Sequence, residues 1–378
     1  MKIHRTLLHH IRESIVPGRV LVIYGPRQVG KTTLVKELLT SLSSSSKFVN
    51  ADELIYREAL GSQNRQRLGE VLGDAALLVI DEAQRVPEIG LNLKILVDSF
   101  PQAAIIATGS ASFDLANKIS EPLTGRRLTF SLYPVSYGEI RQTFGALEAR
   151  AHLERWLVWG GYPEIVATEN PTRRERLLGE LTGAYLYRDI LELEGVRRAD
   201  KLVDLLRLLA FQIGQEVSLS ELAQNLSVNY RTLERYLDLL EKVFVIFKVG
   251  GFSRNLRKEI SKTARYYFYD NGVRNSLIQN FNPLAVRNDV GQLWENYLMV
   301  ERRKANQIAE RSANTYFWRT HDQKEIDYVE ERSGKLFGYE FKWQGAEIRR
   351  ATREEFLGAY PGAELATVTQ SNFEEFLQ

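Results

Sequence analysis

A glycine-rich segment near the start of the chain constrains the fold most strongly. Residues 25–33 have the sequence GPRQVGKTT, and they lie between an apolar run at 19–24 and a helix-forming run at 34–39. A strand, a glycine-rich turn and a helix in this order arrange several backbone N–H groups around one hollow, at the positive end of the helix. Such a hollow binds phosphate groups. The segment therefore predicts a nucleotide-binding loop, and the alternative is a chance Gly-Lys turn.

The residue types of this segment suit ATP and Mg²⁺ as the bound cofactors. Gly25 and Gly30 allow the backbone to curl. Lys31 is expected to reach the β- and γ-phosphates as a point charge, and the Thr32 hydroxyl is expected to ligate Mg²⁺. The residues predicted to surround the nucleotide in this loop are Gly25, Pro26, Arg27, Gln28, Val29, Gly30, Lys31, Thr32 and Thr33.

A second motif supports the first. The apolar run 77–80 ends in Asp81 and Glu82, about fifty residues after Lys31. Because ligands bind beyond the carboxyl ends of strands in parallel sheets, we expect both carboxylates at the phosphate site. Asp81 would hold Mg²⁺ through its water shell, and Glu82 would act as the general base for the attacking water. The alternative is a strand that ends in a solvated acidic turn.

Hydroxyl side chains and an arginine in the next two strand regions are also expected to act on the γ-phosphate. The buried strand that ends near Gly109 carries Thr108 and Ser110, and either hydroxyl would sense the γ-phosphate. The alternative is an ordinary strand-ending turn. Arg126 precedes the next strand and would stabilise charge on the transferring phosphoryl group, in the same chain or across a subunit boundary. The alternative for Arg126 is a surface arginine.

The order of strand and helix patterns predicts four parts. Alternating strands and helices make the first part, 1–135, an α/β domain with a parallel sheet. Its expected strands are 19–24, 47–51, 75–80, 103–108 and 128–133. Residues 136–214 have helical periodicity, 215–285 change to short helices followed by strands, and 286–378 return to mixed strand and helix.

Composition excludes several classes of protein. The 378 residues are 44% hydrophobic and 26% charged, which is typical of a globular protein with more than one domain. No apolar run approaches the roughly 18 residues of a membrane span, so we expect a cytoplasmic protein without a membrane partner. The chain has no cysteine, which excludes disulfides and thiolate metal sites. Its net charge of +2 means that any basic surface must be local.

The stretch 215–285 is typical of a winged helix. Ser218 or Ser220 would cap a short first helix, and a second helix would run from Asn229 to Lys242. Strands at 243–247 and 266–269 would then form the wing.

DNA is the partner that this winged helix predicts. The outer face of the second helix offers Arg231 and Arg235, although Glu234 and Asp238 dilute its charge. A basic segment follows and adds the phosphate-contact candidates Arg254, Arg257, Lys258, Lys262 and Arg265. The alternative is a winged helix that serves only as a packing or relay module.

The carboxyl-terminal part has the pattern of a nuclease. Glu295 lies on an apolar helix face, which is unfavourable unless something binds the carboxylate. Asp327 follows on one strand, and Glu340 and Lys342 alternate on the next. This order resembles the PD-(D/E)xK nuclease superfamily, which includes archaeal Holliday-junction resolvases, and implies a restriction-endonuclease-like α/β fold. The resemblance implies that Asp327 and Glu340 hold Mg²⁺ with help from Glu295, and that Lys342 activates water. A fold of this kind can also bind DNA with little or no turnover.

Eight motifs together resemble one family that covers nearly the whole chain. They are GPRQVGKTT, LLVIDEAQ (77–84), ATGSAS (107–112), LTGRR (123–127), LYPVSYGEI (132–140), GGYP (160–163), YRDI (187–190) and RYYFYDNGV (265–273). The family is the bacterial and archaeal P-loop ATPases of the AAA-14 type with a C-terminal DUF4143 domain. The resemblance implies ATP hydrolysis. An arginine that acts across a subunit boundary would require a homo-oligomer, and related ATPases often form rings, a hexameric ring among them.

Two functions remain open from the sequence. The first is Mg²⁺-dependent ATP hydrolysis coupled to binding or remodelling of DNA, branched DNA included, with a C-terminal nuclease. The second is an ATP-gated switch that controls a protein partner and cleaves no DNA. The basic segment after the second helix favours the first function, and the acidic residues on that helix favour the second.

Overall fold

The computed structural model describes residues 3–42, 45–110, 123–185, 198–253, 264–345 and 347–378. The chain forms two compact units. The first unit contains Met1–Val135 with Lys242–Phe244, and the second contains Ser136–Glu241 with Val245–Gln378. None of the described helices is long and apolar enough to cross a membrane.

The first unit is a parallel sheet with helices between its strands. Its elements, as far as they are described, are α1 (Leu7–Glu13), β1 (Val20–Tyr24), α2 (Lys31–Thr40), β2 (Ser46–Asn50), α3 (Leu54–Leu60), α4 (Arg65–Leu72), β3 (Leu77–Asp81), α5 (Ile89–Ser99), β4 (Ala104–Gly109) and β5 (Arg127–Ser131). The strand order is β2-β3-β4-β1-β5, and every neighbouring pair is parallel. The predicted strands are confirmed, with ends that differ by at most two residues.

The strand order determines which strand ends lie next to one another at the edge of this sheet. Strands β1, β3 and β4 are buried along their whole length, as their continuous apolar runs require. Strand β4 lies between β1 and β3. The carboxyl end of β4 is therefore next to both the glycine-rich loop after β1 and the carboxylates at the end of β3.

The second unit combines helices with a mixed sheet. Its described elements are α6 (Tyr137–Phe144), α7 (Ala146–Ala151), α8 (Leu153–Trp159), α9 (Pro163–Ala167), α10 (Pro171–Glu180), α11 (Ala199–Phe211), β6 (Glu216–Val217), α12 (Leu219–Leu226), α13 (Tyr230–Lys242), β7 (Ile246–Gly251), β8 (Ala264–Phe268), α14 (Asn271–Leu277), α15 (Val290–Ile308), β9 (Asn314–Arg319), β10 (Glu325–Arg332), β11 (Lys335–Phe341), α16 (Arg350–Ala359), β12 (Glu364–Val368) and α17 (Phe373–Leu377). Helices α6 to α11 confirm the helical periodicity of 136–214 in its described part.

One sheet runs through the predicted middle and C-terminal parts. Its strand order in the described residues is β12-β11-β10-β9-β7-β8-β6. Strands β6, β8 and β7 are antiparallel neighbours, and β7 joins β9 by a parallel pairing at Gly250 and Gly251. The backbone N–H of Phe252 continues this pairing by donating to Phe317, at 2.6 Å. The predicted boundary at 285 therefore does not separate two sheets, and the four-part division stays a prediction.

Two helices and a tight turn form where the sequence predicted a helix-turn-helix. The Ser218 hydroxyl accepts a hydrogen bond from the backbone N–H of Glu221, so Ser218 is the cap of α12. Ser227 ends that helix with φ +52°. The Asn229 carboxamide oxygen accepts from the N–H of Thr232 at 2.7 Å and caps α13.

A buried carboxylate ties two glycine-rich turns together in the second unit. Asp270 accepts hydrogen bonds from the N–H groups of Gly161, at 2.7 Å, and Val273, at 3.0 Å. Burial raises the pKa of Asp270 to about 6. A Cβ atom at Gly160 would lie 2.0 Å from Asp270 Oδ1, and Gly160 has φ +73°. The segments GGYP (160–163) and YDNG (269–272) are thus joined by the Asp270 carboxylate.

We predict that Gly160→Ala destabilises the second unit by about 2 kcal/mol or more. The added methyl group must displace Asp270 and break its hydrogen bonds, and a positive φ disfavours alanine. The matched control is Gly179→Ala near the end of α10, where no described atom lies within 4 Å of the new Cβ. The midpoint of urea unfolding should fall for Gly160→Ala and stay equal or rise for Gly179→Ala. Equal midpoints for wild type and Gly160→Ala would contradict this role of the turn.

Candidate functional site

The glycine-rich loop after β1 has the backbone of a phosphate-binding loop. Gln28 and Gly30 have φ +60° and +95°, which turns successive N–H groups towards one side. A Cβ atom at Gly25 would lie 2.2 Å from the backbone oxygen of Leu132, so only glycine fits there. Among the remaining predicted loop residues, Val29 and Pro26 are buried, Arg27 is half-buried and Thr33 is exposed on α2.

The Lys31 side chain is buried and bonded to the loop itself. Its ammonium donates hydrogen bonds to the backbone oxygens of Gly25, at 2.9 Å, and Pro26, at 2.8 Å. These two hydrogen bonds hold the positive charge over the curl of the loop. An ammonium has three donors that can rotate. The same donors can exchange a carbonyl for a phosphate oxygen.

Asp81 is hydrogen-bonded to two other predicted residues, Thr32 and Thr108. The Thr32 hydroxyl donates to Asp81 Oδ2 at 2.7 Å, and the Thr108 hydroxyl donates to Asp81 Oδ1. A hydroxyl and a carboxylate in contact are the oxygen donors that Mg²⁺ prefers beside phosphate groups. The donor set therefore fits Mg²⁺, as the spacing of the two motifs predicted.

Glu82 is held beside this group by a residue that sequence reasoning missed. The Gln84 amide donates to Glu82 Oε2 at 2.5 Å and to the Ser110 hydroxyl at 3.1 Å. The N–H of Glu82 donates to Thr108 at 3.3 Å. Gln84 thus links the expected base to the expected γ-phosphate sensor Ser110. A signal was present, because Gln84 lies two residues after Glu82 in the same motif.

Arg5 supports the loop from a distant part of the sequence. Its guanidinium donates to the backbone oxygens of Val29, at 2.7 Å, and Tyr133, at 2.6 Å. The side chain is buried. It joins the loop to the segment after β5 and fixes the loop backbone from outside. Nothing in the local pattern around Arg5 indicates this contact.

Arg126 lies at the wrong edge of the sheet for a role in its own nucleotide site. Arg127 pairs with Val20 at the start of β1, whereas the loop follows Tyr24 at the end of β1. These two ends are about 13 Å apart along the strand. Arg126 also forms an ion pair with Asp98. The expectation that Arg126 acts in the same chain is therefore wrong, and only the action across a subunit boundary stays a prediction.

A second cluster of predicted residues lies in the other unit. Asp327 on β10 and Glu340 on β11 are buried, and Glu295 on α15 is half-buried. Glu295 and Asp327 adjoin a buried arginine. That arginine is Arg265 on β8, which is 3% exposed. The sequence correctly predicted that the three carboxylates converge. It was wrong about Arg265, which faces carboxylates in the interior and is not a surface phosphate contact.

The guanidinium of Arg265 is the cation of this cluster. Its Nη1 lies 3.5 Å from Glu295 Oε1 and 3.8 Å from Asp327 Oδ1, and its Nη2 lies 2.8 Å from Glu325 Oε2. The hydroxyl of Tyr267 donates to Glu295 at 2.7 Å. Arg265 and Tyr267 point to the same face of β8 because the side-chain period of a strand is two. Sequence reasoning missed both.

Burial changes the acidity of these carboxyl groups. It raises the pKa of Glu295 to about 7, although Arg265 and the Tyr267 hydroxyl act in the opposite direction. Burial, together with the nearby Glu295 and Glu340, raises the pKa of Asp327 well above its usual range. The cluster therefore retains protons that exposed carboxylates would lose.

The predicted carboxylate ligands are paired with protein donors in this arrangement, and the metal site stays a prediction. Lys342 Nζ lies 2.7 Å from Glu340 Oε1, and the N–H of Phe341 donates to Asp327 Oδ2 at 2.8 Å. Within the described ranges, no group of three or more His, Cys, Asp or Glu side chains is arranged to hold a metal ion. Hydrogen bonds from Tyr267, the Phe341 N–H and Lys342 already occupy one oxygen of each predicted ligand.

The predicted DNA-contact residues fall into two groups. Arg231 and Arg235 are exposed at the start of α13, where a surface depression is lined by Asn229, Tyr230, Arg231, Thr232 and Arg235. Glu234 and Asp238 are exposed on the same helix. The other candidates lie outside the described residues: Arg254, Arg257, Lys258 and Lys262.

Comparison with known proteins identifies the family. An AAA domain model matches residues 17–141, and models of two domains of unknown function match residues 150–284 (DUF8612) and 290–375 (DUF4143). Uncharacterized proteins of Mycobacterium bovis and Mycobacterium tuberculosis are each 30% identical over 338 residues, which cover 88% of this chain and 72% of theirs. The chain belongs to the P-loop ATPases with a C-terminal DUF4143 domain.

A more distant relative aligns over a similar length. An uncharacterized protein of Methanocaldococcus jannaschii is 23% identical over 338 residues, which cover 84% of this chain and 74% of its own length. Among solved structures, the Walker-type ATPase PABY2304 of Pyrococcus abyssi aligns with 72% of this chain and 94% of its own, at 18% identity and a TM-score of 0.49. The predicted AAA-14 and DUF4143 resemblance is confirmed, whereas the nuclease-like nature of DUF4143 stays a prediction.

We predict that Arg5→Ala weakens ATP binding to the AAA domain about tenfold. The variant loses one buried hydrogen bond to the loop, at Val29, and a part-buried one to Tyr133. A hydrogen bond from a charged group contributes about 1.5–3 kcal/mol, part of which the loop recovers by relaxing. Arg12→Ala is the control, because Arg12 is an exposed arginine on α1, the helix that follows Arg5. Calorimetric titration with MgATP measures both, and Arg5→Lys should restore part of the affinity. Equal affinities for Arg5→Ala and Arg12→Ala would rule out this support of the loop.

Proposed function

We propose that this chain hydrolyses ATP with Mg²⁺ and couples hydrolysis to the binding or remodelling of DNA. The observation that carries the first half is the Asp81 carboxylate, which accepts hydrogen bonds from both Thr32 and Thr108 beside the Lys31 loop. This combination joins a phosphate-binding backbone, a fixed cation and a pair of oxygen donors at one edge of a parallel sheet.

Each residue of the site has one task in this proposal. Mg²⁺, when bound, neutralises charge on the phosphate oxygens. Thr32 and Asp81 supply oxygen ligands for it, and Lys31 donates to the β- and γ-phosphates. Glu82 accepts the proton of the attacking water, while Gln84 keeps the Glu82 carboxylate in position. Ser110, whose hydroxyl accepts a hydrogen bond from Gln84, senses the γ-phosphate.

We predict that Glu82→Gln lowers the ATP hydrolysis rate by a factor of about 10² to 10⁴ and retains ATP binding, because only the general base is lost. Lys31→Ala should lose both binding and hydrolysis, because the variant lacks the ammonium that lies against the loop oxygens of Gly25 and Pro26. Lys36→Ala is the control, because Lys36 is exposed on the same helix. Steady-state phosphate release and nucleotide titration measure the two effects. Full activity in Lys31→Ala would show that ATP is hydrolysed elsewhere.

The second half of the proposal is supported by helices α12 and α13. The exposed start of α13 combines Arg231, Arg235 and the ring of Tyr230, which suits contacts to phosphates and bases. We propose that these residues form a DNA surface; the basic candidates Arg254, Arg257, Lys258 and Lys262 lie outside the described residues and stay predicted phosphate contacts. DNA cleavage is not part of this proposal, because Arg265 neutralises the carboxylates that a nuclease would use.

A homo-oligomer is included in this proposal. Arg126 is exposed at the amino edge of its own sheet, opposite its own nucleotide loop. In a ring, a hexameric one included, an arginine at that edge can face the nucleotide of a neighbouring subunit and stabilise transferring charge.

A protein-controlling switch is the second candidate function. Exposed Glu234 and Asp238 on α13 favour it, since they weaken the attraction of that helix for phosphates. The switch requires slow hydrolysis that no DNA changes, whereas the DNA machine requires a rate that DNA increases.

We predict that one form of DNA stimulates ATP hydrolysis several-fold, and that the stimulation weakens as salt rises, because phosphate contacts release counterions. The Arg231→Ala, Arg235→Ala double variant should lose most of the stimulation. Arg176→Ala is the control, since Arg176 lies 81% exposed on α10. The rate is measured with linear, single-stranded and four-way-junction DNA at two salt concentrations. A rate that no DNA changes would favour the switch, and equal stimulation of both variants would rule out the α13 surface.

A further inference from the structure

We infer that Arg265 is the built-in cation of the C-terminal carboxylate centre: its guanidinium takes the charge-balancing place that a divalent metal has in nucleases, so this centre binds no Mg²⁺ or Mn²⁺. The inference is independent of the ATPase and DNA roles proposed above. It gives Arg265 a role among buried carboxylates, whereas the basic residues before it in the sequence suggested a surface position.

The contacts of Arg265 match those of a central cation. Both terminal nitrogens face carboxylates, with Glu325 at 2.8 Å, Glu295 at 3.5 Å and Asp327 at 3.8 Å. These three come from two different elements, α15 and β10. The ring of Phe317 covers the guanidinium, with its centre 4.5 Å from the Arg265 carbon Cζ. A planar guanidinium is suited to this position, because it binds carboxylates in its plane and an aromatic ring on its face.

The backbone of Arg265 keeps the guanidinium in place. Arg265 is paired on one side with Val249 of β7 and on the other with Glu216 of β6. A residue paired on both sides of a sheet cannot swing away as a loop residue can. The guanidinium is also charged at every physiological pH, so it cannot leave the cluster by losing its proton.

One oxygen of each predicted metal ligand already accepts a hydrogen bond from a protein donor. Glu295 accepts from Tyr267, and Asp327 accepts from the backbone of Phe341. Glu340 Oε1 is bonded to Lys342. Within the described part of the chain, Glu340 Oε2 is the cluster's one buried carboxylate oxygen without a hydrogen-bond partner. A divalent ion needs several free oxygens at once, and its entry would place a third positive group beside Arg265 and Lys342.

The test is Mn²⁺ binding to the full-length protein without nucleotide, measured by loss of the electron paramagnetic resonance signal of free Mn²⁺. All proteins carry Asp81→Asn, so that the nucleotide site contributes equally. We expect the parent protein, Asp327→Asn and Glu340→Gln to bind the same amount of Mn²⁺. Arg265→Ala should gain a bound Mn²⁺, and this gain should disappear when Asp327→Asn is added.

Two results would overturn the inference. One is Mn²⁺ binding by the parent protein that Asp327→Asn or Glu340→Gln removes, because the carboxylates then ligate a metal beside Arg265. The other is a folded Arg265→Ala protein that gains no Mn²⁺, because the guanidinium then does not stand in a cation's place. The first comparison does not use Arg265→Ala, so it decides the matter even if that variant fails to fold. Glu340→Gln keeps it decisive if Asp327→Asn does not fold.

Discussion

The two hydrogen bonds to Asp81 are the constraint on which the nucleotide site depends. They join the start of α2, the end of β3 and the end of β4 through one carboxylate. This is possible because β4 lies between β1 and β3, so that the carboxyl ends of these three strands lie side by side at one edge of the sheet. Thr32 can approach Asp81 only if the loop before it curls, which Gly25 and Gly30 permit and Arg5 stabilises from behind. Oxygen donors, loop and base are therefore positioned by the same strand order.

Most of the first unit could be predicted from sequence because its signals are local. Buried parallel strands are continuous apolar runs, and a phosphate-binding loop needs glycine at fixed positions, so both leave a mark within a few residues. Contacts between distant segments leave no such mark. The bond from Arg5 to Val29 crosses 24 positions, and the location of Arg126 follows only from which end of β5 lies beside the start of β1.

The C-terminal cluster was predicted in part. The wrong part of the prediction, a surface position for Arg265, has a physical cause. Glu295, Asp327 and Glu340 converge because strand alternation and the helix face fix their directions locally. Arg265 follows a run of basic residues, which suggested a solvated surface. Yet Arg265 and Tyr267 also alternate on a strand, and the face they share becomes interior because α15, which carries Glu295, packs against β8. Whether an alternating arginine faces water or carboxylates is decided by that packing between distant segments, which a single sequence does not display.

A crystal structure of the protein with Mg²⁺ and a non-hydrolysable ATP analogue tests the central claim most directly. The account predicts that Lys31 exchanges its bonds to the Gly25 and Pro26 oxygens for phosphate oxygens. It also predicts that Thr32 and Asp81 become part of the Mg²⁺ environment, with Glu82 facing the γ-phosphate. A nucleotide bound elsewhere, with Lys31 still bonded to the loop and Thr32 still donating to Asp81, would contradict the account.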